Sequence, residues 1–412
     1  MRGAIVKAFF LALAVAPLRV PAQARPQTQS DDYTRYELLA PGTAKFRILY
    51  EVTATTPGSR EFFNVIRLGS VASDEAVYDR MTGAPLAWDV VGMDVARAGG
   101  VGGRGPIDTA QKYLRVRLAR AVPDEGEGRL LIDKTYYDPK SYYEDAGDIA
   151  FTRSLGIKRN AVVLPVGFEL VSSNYPAQVL QEPDGRVAVA FWNNTPAEAP
   201  LVLRARRAPA MAGGAPAANH ANPADRAARL DERAHQNREI VYFLQQPETH
   251  AFDLYHDYTE SREGVSFYVN EVRAGSTVTN PRARVLDTGE ELKFEVLKGD
   301  AITRANVGVR NVTAASEAVV FRFAPVPKGG STRLRMYETY TDPARYTVEQ
   351  GELIWNRSFG RPANAVVLPA GWALTSSSIP ATVSTLPDGR VRLDFINPRP
   401  DEINVLITAR RR

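Results

Sequence analysis

The sequence predicts an all-β protein: two tandem antiparallel β-sandwich, immunoglobulin-like domains from an internal duplication, joined by an Ala/Pro/Gly linker with a short helix. Three observations carry this expectation. Apolar and polar residues alternate at period two, as Phe46, Ile48, Tyr50 and Val52 do against Lys45, Arg47 and Glu51, the pattern of a half-buried strand. Such runs recur between Gly, Pro, Asn and Asp, and neither half holds a twelve-residue stretch at helical period. The second half also repeats the first. Asn160 to Pro165 returns unchanged at Asn364 to Pro369, and Pro183 to Val187 at Pro387 to Val391. From Thr135 to Arg207 the match is ungapped at an offset of 204, with 34 identities in 73 positions. The fronts match at an offset of 206, where Tyr36, Leu38, Pro41, Thr43 and Phe46 fall on Tyr242, Leu244, Pro247, Thr249 and Phe252.

The elements follow in chain order. Residues 1–24 read as a signal peptide: Arg2 and Lys7 precede the apolar run Phe9 to Ala16, and Ala22-Gln23-Ala24 offers small residues for cleavage. That run is shorter than the ~20 residues of a membrane span. The mature chain is therefore expected to be exported, periplasmic or extracellular, with no transmembrane segment. Repeat 1 is placed at 33–207. Leu114 and Val116 share one strand face, as do Val187, Val189 and Phe191, while Asp184-Gly185 and Asp388-Gly389 read as type I′ hairpin turns. The glycine-rich stretch Gly99 to Gly105 reads as a hairpin tip, since no Lys-Ser or Lys-Thr follows to make a phosphate loop. The linker is 208–238: an Ala/Pro/Gly-rich flexible start, then Asn222-Pro223 opening a short helix to about His235. Repeat 2 is placed at 239–412.

Composition narrows the chemistry. Among 412 residues there is no Cys and there are 4 His, which excludes disulfides, thiol catalysis, iron–sulfur clusters and Cys-based zinc sites. The formal charge of +4 falls to +1 when the expected signal removes Arg2, Lys7 and Arg19, so no nucleic-acid partner is expected. Arginine outnumbers lysine 42 to 9 and alanine is abundant, a bias read as that of a GC-rich bacterial genome.

Each suspicious residue can be checked against its counterpart in the other copy. His250 and His256, six apart, read as one face of a strand and could begin a metal site. Their counterparts are Ala44 and Tyr50 on an apolar face, so they read as core histidines. His220 and His235 fall in the linker and read as solvated. No metal and no cofactor are expected. The acids shared by both copies are Asp138/Asp342, Asp184/Asp388 and Glu198/Glu402, with Asp148/Glu352 alike by type. Turns before Pro or Gly account for the first two pairs, and no catalytic residue is assigned.

Tyr136, Tyr137, Tyr142 and Tyr143, followed by Arg153, could form a flat amphipathic surface for a partner. Tyr340, Tyr346 and Arg357 are their counterparts in repeat 2, and all eight are candidate binding residues. Shared positions read as packing. Tyr137 and Tyr143, which are Thr341 and Thr347 in repeat 2, are therefore the sharper candidates. Arg153/Arg357 and Asn160/Asn364 read as hydrogen-bonders at strand ends.

Two stretches carry a resemblance. Tyr242 to Phe252 resembles the opening strand of the N-terminal β-sandwich of M1-type aminopeptidases, and Leu114 to Leu118 with Gly126 to Ile132 is similar to a later strand pair of that domain. The resemblance implies the sandwich without the peptidase, since the family's zinc motif is absent from this sequence. The expected role is an exported, non-catalytic module that binds a protein or polysaccharide of the cell envelope or fills a structural role there. The alternatives are an exported hydrolase using Asp/Glu carboxylates and an accessory subunit of an exported enzyme.

Overall fold

The computed structural model describes residues 25–103, 105–193, 195–209, 232–236 and 238–412. The expected signal peptide and most of the expected linker, with its helix, lie outside the described residues.

In repeat 1 a seven-stranded sheet runs, edge to edge, Gln178–Gln181, Val187–Trp192, Arg159–Val163, Gln29–Leu38, Lys45–Ala54, Gly128–Tyr137 and Val71–Asp79. Two smaller sheets face it. One has four strands, Phe168–Ser173, Ala199–Arg207, Asp148–Leu155 and Tyr142–Asp145; the other has three, Glu61–Val65, Lys112–Arg117 and Trp88–Gly92. Phe46, Ile48, Tyr50 and Val52 all point into one apolar core, where they meet Phe62, Leu114 and Val116 of the three-stranded sheet and Phe151 and Leu201 of the four-stranded one. Period-two alternation thus does what it predicts: it places one row of every central strand out of water.

Repeat 2 copies this arrangement strand for strand, with one added short strand, Glu291–Leu292, at the edge of its large sheet. Pairing is antiparallel except once in each copy. Gln29–Leu38 runs parallel to Arg159–Val163, and Arg238–Leu244 parallel to Ala363–Val367. The intervening chain crosses to the other layer between these strands, which permits parallel pairing.

Three local expectations change. Gly185 closes its turn by donating to the Glu182 carbonyl at 2.9 Å, and Gly185 alone has positive φ, 85°. A type I′ turn needs two such residues, so this hairpin follows the pattern of a type I turn through Pro183-Asp184 with a left-handed glycine after it. Gly99 caps a helix, Met93–Ala98, rather than a hairpin. Its counterpart is Asp300–Ala305, and each helix covers the outer face of a three-stranded sheet through Ala96 or Ile302. Six residues are too few to display a helical period. Finally, His250 precedes the strand Ala251–Glu260, in the left-handed conformation at φ 55°, as Ala44 does at 52°.

The repeats dock on one another with approximate two-fold correspondence. Glu127 N–H donates to the Leu286 carbonyl at 2.8 Å, and its counterpart Ser331 donates to the Met81 carbonyl at 3.2 Å. The glycines just before them are required by this approach. A Cβ on Gly126 would lie 2.6 Å from the Leu286 oxygen, and one on Gly330 2.2 Å from the Met81 oxygen. Residues 232–236 form a brace between the copies. The Arg233 side chain donates to the carbonyls of Asn397 at 3.3 Å and Gly360 at 3.1 Å. On the other side Arg159 donates to the Ala234 carbonyl at 3.0 Å. His235 is exposed, as expected, and its Nε2 lies 3.1 Å from Glu51 of the first repeat.

Candidate functional site

Docking encloses a cleft of about 980 Å³ between the repeats. One wall is the outer face of the large sheet of repeat 2. There the strand alternation that buries Leu254 and Met336 sends Asp257, Arg335 and Tyr337 the other way. The facing wall comes from repeat 1 through Lys158, Arg159 and Trp192.

The cleft wall is a lattice of opposite charges. Arg335 clamps Asp257 with two hydrogen bonds of 2.7 Å each. Arg333 lies 3.6 Å from the same carboxylate and 3.8 Å from Glu127 of repeat 1, tying the wall across the junction. Four guanidiniums of the lining lie over aromatic rings: Arg282 over Tyr337 at 4.2 Å, Arg335 over Tyr255 at 4.5 Å, Arg238 over Tyr258 at 4.6 Å and Arg159 over Trp192 at 5.6 Å. Such stacks hold the rings and guanidiniums flat against the walls. Glu239 sits directly opposite Asp257 in the ladder. Burial, and then the Asp257 charge, push the Glu239 carboxyl above the usual range, while Arg392 at 3.6 Å opposes them. Chemically the cleft offers carboxylate acceptors, guanidinium donors and flat apolar faces within one fixed groove, the composition of a recognition site for a polar chain.

The sequence-derived binding candidates are not brought together. Tyr136, Tyr142, Tyr340 and Tyr346 are buried in the cores. Tyr142 donates its hydroxyl hydrogen bond to the Leu39 carbonyl at 2.9 Å, and Tyr346 to the equivalent Gln245 carbonyl at 2.5 Å. Arg153 and Arg357 are buried ion-pair partners of Asp138 and Asp342, at 2.9 and 3.2 Å, each enclosed by three aromatic rings. Only Tyr137 and Tyr143 are exposed. They leave the outer faces of two different sheets, so they form no common surface.

The turn acids also prove structural. Asp138 accepts from Ser70 at 3.0 Å and Ser141 at 2.8 Å as well as Arg153. Burial works to raise its pKa, but these hydrogen bonds and the arginine outweigh it and hold the carboxyl below its usual range. Among the described residues no group of three or more His, Asp or Glu side chains could hold a metal ion.

Sequence reasoning missed the cleft, because its walls come from positions about 100 to 200 residues apart. The comparison of the copies carried little signal: Asp257 and Arg333 keep the charges of Glu51 and Arg129, and the gain of Arg335 for Leu131 is offset by Tyr337 for Asp133.

No family model matches the chain, and no curated protein does. Among solved structures it is similar to an M1 zinc metallopeptidase from Deinococcus radiodurans, at 14% identity and TM-score 0.29 over 45% of this chain and 44% of that one. It is also similar to an aminopeptidase N family protein from Idiomarina loihiensis, at 10% identity and TM-score 0.25 over 41% and 29%. Native yeast LTA4 hydrolase matches at 8% identity and TM-score 0.28 over 48% and 33%. The chain spans less than half the length of each. The resemblance read from the strand patterns thus returns among the structural neighbours, at low coverage and low identity.

Proposed function

We propose that this chain is an exported, non-catalytic binding protein of the cell envelope that grips an extended polypeptide segment of a partner in the inter-repeat cleft. The observation that carries this reading is the cleft itself: about 980 Å³, lined from both repeats, with guanidiniums, carboxylates and aromatic faces interleaved. A polypeptide carries side chains of both signs and apolar ones between them, and so complements such walls. A neutral glycan brings no charged group to complement them. Rigid docking of the repeats keeps the walls at a set spacing, which lowers the ordering cost of binding.

The test is a mixed-charge peptide array and an oligosaccharide array probed with the full chain, run beside Trp192→Ala and Tyr337→Ala. Peptide capture that both substitutions weaken supports the reading. Capture of glycans alone, or of peptides unaffected by either change, overturns it.

A second reading rests on Glu239 and Asp257. Residues directly opposite in an antiparallel ladder bring their side chains within about 5 Å, close to the separation of a retaining glycosidase pair. Glu239 has the raised pKa of a general acid, and Asp257 is held by Arg335. Glycoside turnover abolished by Glu239→Gln would favour an exported hydrolase instead.

A further inference from the structure

Repeat 2 contains a second cavity, of about 220 Å³, that lies inside the sandwich rather than between the repeats. Repeat 1 acts as its control. There, Tyr50, Phe62 and Ile132 belong to one continuous apolar core, with Ile157 packed against it. In repeat 2 the equivalent residues are His256, Tyr268, Met336 and Arg361, and the core divides into two clusters that share only the half-buried Val272 and Val278. The cavity lies where the cores separate.

One pair of substitutions reverses a charge. In repeat 1, Lys134 donates to Asn64 at 2.8 Å. In repeat 2 the lysine is Glu338, and the matching asparagine, Asn270, has turned its amide round to donate to Glu338 Oε2 at 2.5 Å and to the Tyr340 hydroxyl at 3.1 Å. Glu338 is buried, and its other oxygen, Oε1, has no hydrogen-bond partner among the described residues. Nor does it form an ion pair among them.

At the other end of the cavity the charge is positive. Arg361 donates to the Tyr268 hydroxyl at 3.4 Å, leaving its Nε without a partner and forming no ion pair among the described residues. The Tyr268 hydroxyl lies 3.3 Å from Nδ1 of the buried His256. Since that hydroxyl accepts from Arg361, its proton is free to go to Nδ1, which places the ring proton on Nε2. Burial and the nearby Arg361 charge keep His256 neutral, in keeping with this tautomer. His256 Nε2 is also without a partner. Asn160 and Asn364 leave the same Oδ1 unpartnered in both copies, so that oxygen distinguishes nothing; the orphaned atoms of His256, Glu338 and Arg361 occur in repeat 2 only.

Buried polar atoms are rarely left unpaired. Here a lone carboxylate and a lone guanidinium line one cavity without pairing to each other. Tyr268 and Asn270 are two apart on one strand, so the residues that hold Arg361 and Glu338 leave one face from Cα atoms about 7 Å apart. An α-amino acid separates its ammonium from its carboxylate by roughly 3 Å, and with a hydrogen bond of ~2.8 Å at each end it reaches about 8 to 9 Å when straight, so a bent approach bridges the two groups. From this juxtaposition we infer that repeat 2 holds a binding site for a small zwitterion of the free α-amino acid class, its ammonium on Glu338 and its carboxylate on Arg361 and His256. The site is a separate cavity from the inter-repeat cleft and shares only Asn364 with its lining.

Calorimetric titration of the full chain with glycine, L-serine and L-leucine tests this, beside ethylamine and propionate, which each carry one half of the zwitterion. At least one amino acid is expected to bind saturably, and each half-probe at least tenfold more weakly. Glu338→Gln, which keeps the side-chain shape, is expected to weaken binding at least tenfold while the chain still unfolds cooperatively; Arg361→Gln, on a half-buried residue, provides the second variant. The inference is overturned if no amino acid binds at millimolar concentration, if a half-probe binds as well as the zwitterion, or if both variants bind like the parent. Binding abolished by Trp192→Ala but retained in Glu338→Gln also overturns it, because the ligand then sits in the cleft.

Discussion

Arg129 of the first repeat and Asp287 of the second form a buried bidentate ion pair, with Nε–Oδ1 at 2.7 Å and the second nitrogen to Oδ2 at 2.8 Å. The same arginine donates to the hydroxyl and carbonyl of Ser331 at 3.0 and 2.8 Å. The Asp287 carbonyl receives Arg120 at 2.8 Å. Arg120 and Arg129 of the first repeat and Asp287 and Ser331 of the second thus each have a partner in the opposite repeat.

Removing one partner strands the other charge. Asp287→Ala is expected to cost about 3–5 kcal/mol, as breaking a buried pair does, and to split urea unfolding into two transitions as the repeats separate. Replacing both residues with apolar ones of similar volume should cost much less. A single unchanged transition in Asp287→Ala would show that the junction contributes little.

Gly330→Ala tests the close approach without touching a charge. Its Cβ would fall 2.2 Å from the Met81 carbonyl oxygen, so the strand must retreat, at a cost of about 1–3 kcal/mol. The same substitution at Gly351, with no neighbour within 4 Å but a φ of 80°, should leave the cleft unaltered and cost only its local backbone strain. Small-angle scattering separates the two outcomes: only the Gly330 variant should change the distance between the repeats.

Glu338 makes stability depend on pH. Burial raises its pKa from 4.5 to about 7, against the lowering effect of Asn270. The folded state therefore holds this proton more tightly than the unfolded chain. The associated stability is fully present below about pH 4.5 and is lost as pH rises through about 7, a change of order 3 kcal/mol. Glu338→Gln should flatten that part of the profile. Urea midpoints measured from pH 4 to 8 for both proteins provide the check, and parallel curves would refute the assignment.

Glu51 should act with the opposite sign. Burial works to raise its pKa, but the hydrogen bond from His235 and the Arg80 charge prevail and hold it at about 2. Its contribution is present above about pH 4.5 and disappears as pH falls toward 2. Glu51→Gln should therefore narrow the acid limb of the stability curve and leave the limb near neutrality unchanged.

The tyrosines divide by burial. Tyr137→Ala and Tyr143→Ala are expected to shift stability by less than about 0.5 kcal/mol, as exposed substitutions do. Tyr346→Ala, which empties a fully buried position and leaves the Gln245 carbonyl without its partner, should cost about 3–5 kcal/mol. Thermal denaturation of the three variants distinguishes them.

What the sequence determined by itself was the unit of structure. Alternation such as Phe46, Ile48, Tyr50 and Val52 is local, and each copy buries that row in its own core. The offset of 204 could be read directly because equal residues in equal order impose equal strand pairing. Burial of Tyr136 and Tyr142 followed from the same comparison, since a side chain kept in both copies serves what both copies share. Tertiary structure alone decided the rest. The cleft exists because Glu127 meets Leu286 and Arg129 meets Asp287, contacts across about 160 residues that no local period encodes. The zwitterion site arises from five exchanges between the copies, each a modest change in sequence: His256 for Tyr50, Tyr268 for Phe62, Met336 for Ile132, Glu338 for Lys134 and Arg361 for Ile157. They acquire meaning only together, because desolvation and hydrogen bonding depend on which groups share a cavity, and that neighbourhood is set by three sheets closing over one another.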